Sequence, residues 1–236
     1  MPERQLSMDP LTTVDAIAQI MQPPYKLIEG VLRYDFTFAQ GNYPGEERSE
    51  LEPPFRVGKK QEIFPIDELL GRYEPEKQLI TIYNKGLKEV AAQLDVREFD
   101  VLYIVRLHEW AHAILHLGMN SKERQELSVN KGREFPTKEA LEAFQSIEDS
   151  VHELLAQILV FYALQDAIAS ASVPEARSAL ERILTVFHKI ESHQPPEYNI
   201  GSFLNVPRAR VLKAIDLLKM QILPGKSDLW TEILVW

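Results

Sequence analysis

The chain contains no cysteine. Disulfides, thiolate metal ligands and a cysteine nucleophile are therefore excluded, and the composition fits a reducing compartment. Long apolar runs are also missing: the N-terminal "MPERQLSMDPLTTVDAIAQIM" has no stretch of signal-peptide length. No segment offers the ~20 uninterrupted apolar residues of a membrane span. Positive charge is in short supply too. With 26 Lys and Arg against 35 Asp and Glu, the formal net charge is −9, which disfavours a nucleic-acid partner on bulk electrostatics. Neither an internal repeat nor a low-complexity tract is present. What remains is 236 residues, 45% hydrophobic and 26% charged, enough for a sizeable core in one large domain or two small ones. These properties read as a soluble, cytoplasmic protein without a membrane partner; they say nothing of its oligomeric state.

Residues 13–22 have the pattern of a short helix ended by Pro23 and Pro24. "RYDFTF" (33–38) alternates as a half-buried strand does. Residues 41–54, rich in Gly, Pro and charge, read as an exposed loop, "GRYEPE" (71–76) as a turn, and "KQLITIY" (77–83) as a strand. From residue 85 the pattern turns helical: 86–95, then a helix capped by Asp100 and running to Leu117, with Gly118 at its exit. A polar connection leads to a long helix over 138–170, a helix opened by Pro174 and running to Ser192, a break, a helix over 207–219 and a short apolar tail. The expected fold is α+β and mostly helical, with a small sheet in the N-terminal third packed on a helical body. Three regions are expected: an N-terminal extension (1–55), a core (56–195), and a C-terminal helix and tail (196–236) packed on that core.

One stretch carries chemistry. In "VRLHEWAHAILHLG" (105–118), His108 and His112 stand four apart with Glu109 beside the first. At about 100° per residue, positions four apart lie one turn above each other, so both imidazoles can reach one ion. The same helix is apolar on nearly every side, which is the mark of a buried helix. A carboxylate buried there costs several kcal/mol unless a cation or proton compensates it. A purely structural reading would pair Glu109 with Arg106 and leave two hydrogen-bonded core histidines; it has to treat three costly residues as coincidence.

"HEWAHAILH" resembles the active-site helix of zincin metallopeptidases of the H-E-x-x-H type, and the histidine at 116 resembles the ImmA/IrrE-type intracellular branch. The resemblance implies Zn²⁺ held by His108 and His112, with Glu109 as catalytic base. Three protein ligands and a water are usual in such sites. His116 lies about 6 Å further along the helix axis than His112 and is out of reach of the same ion. The metzincin spacing fails as well, because Leu115 and Gly118 stand where Gly and His are needed. The helix starting near residue 149 supplies the better candidate. Its main buried stripe is Val151, Leu154, Leu155 and Ile158, and Glu153 opens a second apolar face through Ala156, Gln157, Val160 and Leu164. A carboxylate at the mouth of a buried face needs a cation, and Gln157 can orient it. "ELLAQ" (153–157) resembles the second zinc helix of gluzincins. Glu153 is thus the expected third metal ligand and His152 the alternative, while Glu148 and Asp149 read as solvent charges at a helix start.

The resemblance implies a zinc metalloendopeptidase acting on a protein or peptide substrate such as a transcriptional regulator. Glu109 would take the proton from water and pass it to the leaving amine, and acidification would compete with the metal for the imidazoles. His188, His193, Tyr198 and Tyr103 are available to stabilise an oxyanion, and the residues do not choose among them. "LITIY" can serve as an edge strand for an extended peptide, as zincins use one, or as a buried core strand. Two other readings stay open: a regulatory protein that keeps the metal without turnover, and a DNA-associated protein using Arg208, Arg210, Lys213 and Lys219, although a solvated amphipathic face explains that charge as well.

Overall fold

The computed structural model describes residues 20, 22–32, 44–51, 70–118, 138–194 and 199–219. Over these the fold is α+β and mostly helical, with a three-stranded sheet in the N-terminal part. The elements in chain order are α1 (Pro24–Leu32), β1 (Gly45–Ser49), β2 (Gly71–Glu74), β3 (Leu79–Tyr83), α2 (Asn84–Gln93), α3 (Glu98–Gly118), α4 (Lys138–Gln145), α5 (Asp149–Ser170), α6 (Pro174–Glu191), a 3-10 turn (Ile200–Ser202) and α7 (Arg208–Lys219).

The helices α3 and α5 form the centre. Both are apolar around most of their circumference, so each needs cover on several sides. They pack on each other, α1 and α6 cover both, and α2 and the sheet cover the remaining faces of α3. One contiguous cluster of buried apolar side chains runs from Ile28 to Leu218. By length and composition α5 would cross a membrane, but 78% of its apolar window is buried inside the protein, which supplies its apolar surroundings.

The sheet departs from expectation. Its order is β1-β3-β2, with β1 parallel and β2 antiparallel to β3. "LITIY" is therefore the central strand: the core reading holds and the edge-strand reading does not. Gly45–Ser49, expected as exposed loop, is a strand despite its poor strand formers, because β3 supplies the backbone partners and Glu46 is tied down from α3. Arg106 donates to Glu46 from Nε (2.7 Å) and a terminal nitrogen (3.1 Å), and Trp110 Nε1 donates to it at 3.0 Å. Only the last part of "GRYEPE" turns: Gly71–Glu74 is β2, and the reversal follows at Pro75–Gln78, with Gln78 at φ 49°.

Three helix boundaries also differ. Pro24 opens a helix, where its missing N–H costs nothing; the helix expected over 13–22 lies almost wholly outside the described residues, and the strand over 33–38 entirely so. Asp100 is not a cap. It sits inside the first turn of α3, buried, and accepts from Arg182 of α6 at 2.8 and 3.0 Å. The long helix over 138–170 is two helices separated at Ser146–Glu148. The break is held by tertiary contacts: Ile147 is buried, and the Phe144 carbonyl accepts from His152 Nε2 (2.8 Å) as well as from the Ile147 amide (3.2 Å) that tightens the end of α4.

His116 has a structural role. It is buried, its Nδ1 accepts from the Tyr73 hydroxyl (2.7 Å), and its ring lies against Phe144. Burial lowers its pKa from 6.5 to about 4. The unfolded chain therefore binds a proton in this window that the folded chain does not. The stabilisation is complete above pH 6.5 and is lost as pH falls toward 4, by roughly 3 kcal/mol at the lower end. Denaturant melts at pH 7 and pH 4 should show this loss in the wild type and a loss smaller by about that amount in His116→Phe; an equally steep loss in the variant would contradict it.

Candidate metal centre

Along α3 and α5 the partners change in opposite senses. His112 and His116 of α3 meet, in turn, Glu153 and His152 at the start of α5 and Phe144 of α4, so the two long helices run antiparallel. That arrangement brings Glu153 to the histidine pair. His108 Nε2 is 3.1 Å from His112 Nε2, 3.1 Å from Glu153 Oε2, and His112 Nε2 is 3.1 Å from Glu153 Oε1. All three side chains are buried. The two imidazole nitrogens thus stand beside each other and each faces one oxygen of the same carboxylate, in a site shielded from water, a group that could bind a metal ion.

The donor set tests well for such an ion. With bonds of about 2.0–2.1 Å, the edge of a tetrahedral coordination shell is roughly 3.4 Å, close to the observed separations. Three lone pairs converging in a dry site repel one another, and a cation at their focus turns that cost into attraction. Burial alone would raise the pKa of Glu153, but the charges and hydrogen bonds of His108 and His112 outweigh it and hold the carboxyl far below the usual carboxylate range.

Glu109 lies on the same turn of α3 and is 0% exposed. Arg106, its partner in a purely structural reading, is taken by Glu46. The carboxylate of Glu109 lies instead against β2, where a Cβ on Gly71 would come within 2.9 Å of its Cγ and its Oε1. Burial raises the pKa of Tyr83 at the end of β3 against the opposing charge of Arg72, and Glu74 and then Glu109 add to the rise. Neither Gly71 nor Tyr83 stood out in the sequence, because a single glycine in a stretch read as turn, or a tyrosine closing a strand, has an ordinary explanation.

The other candidates are placed elsewhere. His116 is held by Tyr73. His152 directs Nε2 to the Phe144 carbonyl, and its ring centre is 6.0 Å from that of His112. Glu148 and Asp149 are exposed at the start of α5, as expected. Gln157 is 1% exposed, but neither its Oε1 nor its Nε2 has a partner among the described residues, so it does not orient Glu153 by a hydrogen bond. His188 is half-exposed beside Glu191 at 3.5 Å, and His193 Nδ1 donates to the Lys189 carbonyl at 2.8 Å. The Tyr103 hydroxyl is buried without a partner among the described residues, its pKa pushed up to about 12 by burial against the opposing charge of Arg106. Tyr198 lies outside the described residues.

No family model, curated protein or solved structure matches this chain.

If the three side chains share one ion, each is needed. His112→Ala and Glu153→Ala should each weaken metal affinity by more than the roughly 10–100-fold that losing an outer partner costs, whereas His152→Ala should stay within that range. Elemental analysis after dialysis against a competing chelator measures this; full metal retention in Glu153→Ala would remove Glu153 from the site.

Proposed function

We propose that this chain is a zinc metallopeptidase that hydrolyses a peptide bond in a protein substrate. The observation that carries the reading is the approach of His108 Nε2, His112 Nε2 and the two Glu153 oxygens to 3.1 Å, with the buried Glu109 on the same turn of α3. Two imidazoles and one carboxylate, with no sulfur ligand, form the donor set of many hydrolytic zinc sites. Zinc, when bound, supplies Lewis acidity toward a carbonyl and toward water.

The protein's own groups do the rest. His108 and His112 present neutral Nε2 atoms, and the anionic Glu153 offsets part of the ion's charge. Glu109 accepts a proton from the attacking water on a carboxylate oxygen and returns it to the nitrogen of the leaving amine. Burial removes competing water from around that carboxylate. With β3 enclosed, the sheet has two edges, β1 and β2, and β2 is the one whose Gly71 lies beside Glu109. The Tyr83 amide donates to the Leu70 carbonyl at 2.9 Å, and antiparallel partners alternate, so the N–H and C=O of Gly71 point away from β3. Among the described residues no strand pairs with that side of β2. A peptide adding there would run past Glu109. The resemblance of "HEWAHAILH" to ImmA/IrrE-type proteases favours a transcriptional regulator as substrate and a cytoplasmic setting.

A DNA-binding role for α7 has less support. Arg208, its first basic residue, is bound to both carboxylate oxygens of Asp166 (2.6 and 2.5 Å) and stacks on Tyr162 with 4.7 Å to the ring centre. It anchors α7 to α5 instead of facing a phosphate. A metal-holding regulator without turnover shares every feature of the site and differs only in catalysis.

Glu109→Gln separates these readings. It should keep its zinc and lose hydrolysis of an unfolded protein such as casein by about 10²–10⁴-fold. An equal rate in the variant would remove Glu109 as the base, and a zinc-loaded wild type that cleaves no peptide bond would favour the regulator.

A further inference from the structure

Gly71 is where the sheet comes closest to Glu109, and the reason for a glycine there is space. Its φ lies outside the left-handed region, so an alanine would meet no backbone strain. Glycine inside a strand weakens it and often marks the close approach of another group. Here a Cβ would stand 2.9 Å from Glu109 Cγ, 2.9 Å from Glu109 Oε1 and 2.9 Å from Val105 Cγ1, well inside ordinary carbon contact. Gly30, by contrast, has nothing within 4 Å of that position.

What would yield is decided by how β2 is held. Just before Gly71, Leu70 is fully buried and its carbonyl accepts from Tyr83. Two residues on, Tyr73 is buried on the same face and donates to His116 of α3 (2.7 Å). The strand is pinned to β3 and to α3 on either side of Gly71, and lifting it would break a buried hydrogen bond. Val105 and Glu109 belong to a central helix packed on several sides. Two of the three crowded atoms belong to Glu109, whose unbranched side chain can re-torsion where the β-branched Val105 is stiff at χ1.

We infer that Gly71 is a positioning residue. By having no side chain, it sets where the Glu109 carboxylate rests relative to the His108–His112–Glu153 triangle. The inference rests on the proposed role of that carboxylate beside a metal. A side chain at 71 would displace the carboxylate and leave all three metal ligands in place.

The test is a double-mutant cycle on the Co²⁺-loaded protein, read by the visible-band dissociation constant of acetohydroxamate. This probe chelates the ion and hands its N–OH proton to a neighbouring carboxylate. Gly71→Ala should keep the metal and weaken acetohydroxamate about 10–100-fold. In Glu109→Ala, which removes both the Cγ and the Oε1 that crowd residue 71, adding Gly71→Ala should change the constant less than about threefold. If Gly71→Ala alone does not fold, Gly71→Ala/Glu109→Ala/Val105→Ala should fold, because all three crowded atoms are gone. A Gly71→Ala protein that binds acetohydroxamate like wild type overturns the inference. So does an equal loss in both backgrounds, or a failure to fold in both. Peptide cleavage is scored separately: a wild type without turnover but with a coupled cycle removes the peptidase and keeps Gly71 as a positioning residue, whereas turnover with an uncoupled cycle does the reverse.

Discussion

Two imidazole nitrogens and a carboxylate meet at 3.1 Å from one another inside a protein core. Left alone, that convergence is unfavourable. Water is excluded, the local dielectric is low, and lone pairs face lone pairs. A cation there would remove the cost and make the same geometry attractive, and the packing of the chain is what brings these groups together. α3 and α5 must be buried so that the ligands are shielded, and antiparallel so that Glu153 reaches the histidine turn. Both must also be apolar all round, because α1, α6, α2 and the sheet surround them.

The remaining polar groups of the core lock that packing. Asp100 and Arg182 tie the start of α3 to α6, Tyr73 and His116 tie its end to β2, and Glu46 with Arg106 and Trp110 tie its middle to β1. His152, next to Glu153, fixes the break between α4 and α5 through the Phe144 carbonyl. The Tyr73–His116 and His152–Phe144 contacts are buried and those of Asp100 and Trp110 partly so, and there a missing partner costs more than a formed bond contributes; Glu46–Arg106 lies at the surface. These groups therefore specify one register of α3 against its neighbours, and register is what a metal triangle requires.

Much of this was legible in the residues. The four-residue spacing of His108 and His112 converts directly into geometry through the helix period. Glu153 stood out because its helix continues apolar on two faces, leaving a carboxylate no solvent to occupy. His116 was excluded as a ligand by axial rise alone, but its bond to Tyr73 was hidden, since nothing in "GRYEPE" announces a strand. The same holds for β1. Gly-Glu-Glu-Arg-Ser has little intrinsic reason to extend, and it does so because β3 and α3 offer partners distant in sequence. The break at Ser146–Glu148 has no Gly or Pro to mark it and depends on a side chain several residues later. What local pattern encodes could be read; what long-range pairing imposes could not.

The central claim is that His108, His112 and Glu153 share one ion. X-ray absorption at the zinc edge of the metal-loaded protein tests it most directly. Two imidazoles and a carboxylate predict a first shell of light N/O scatterers at about 2.0–2.1 Å, with the outer-shell pattern of two imidazole rings, reduced to one in His112→Ala. A spectrum without imidazole scattering, or one unchanged by His112→Ala, would contradict the account.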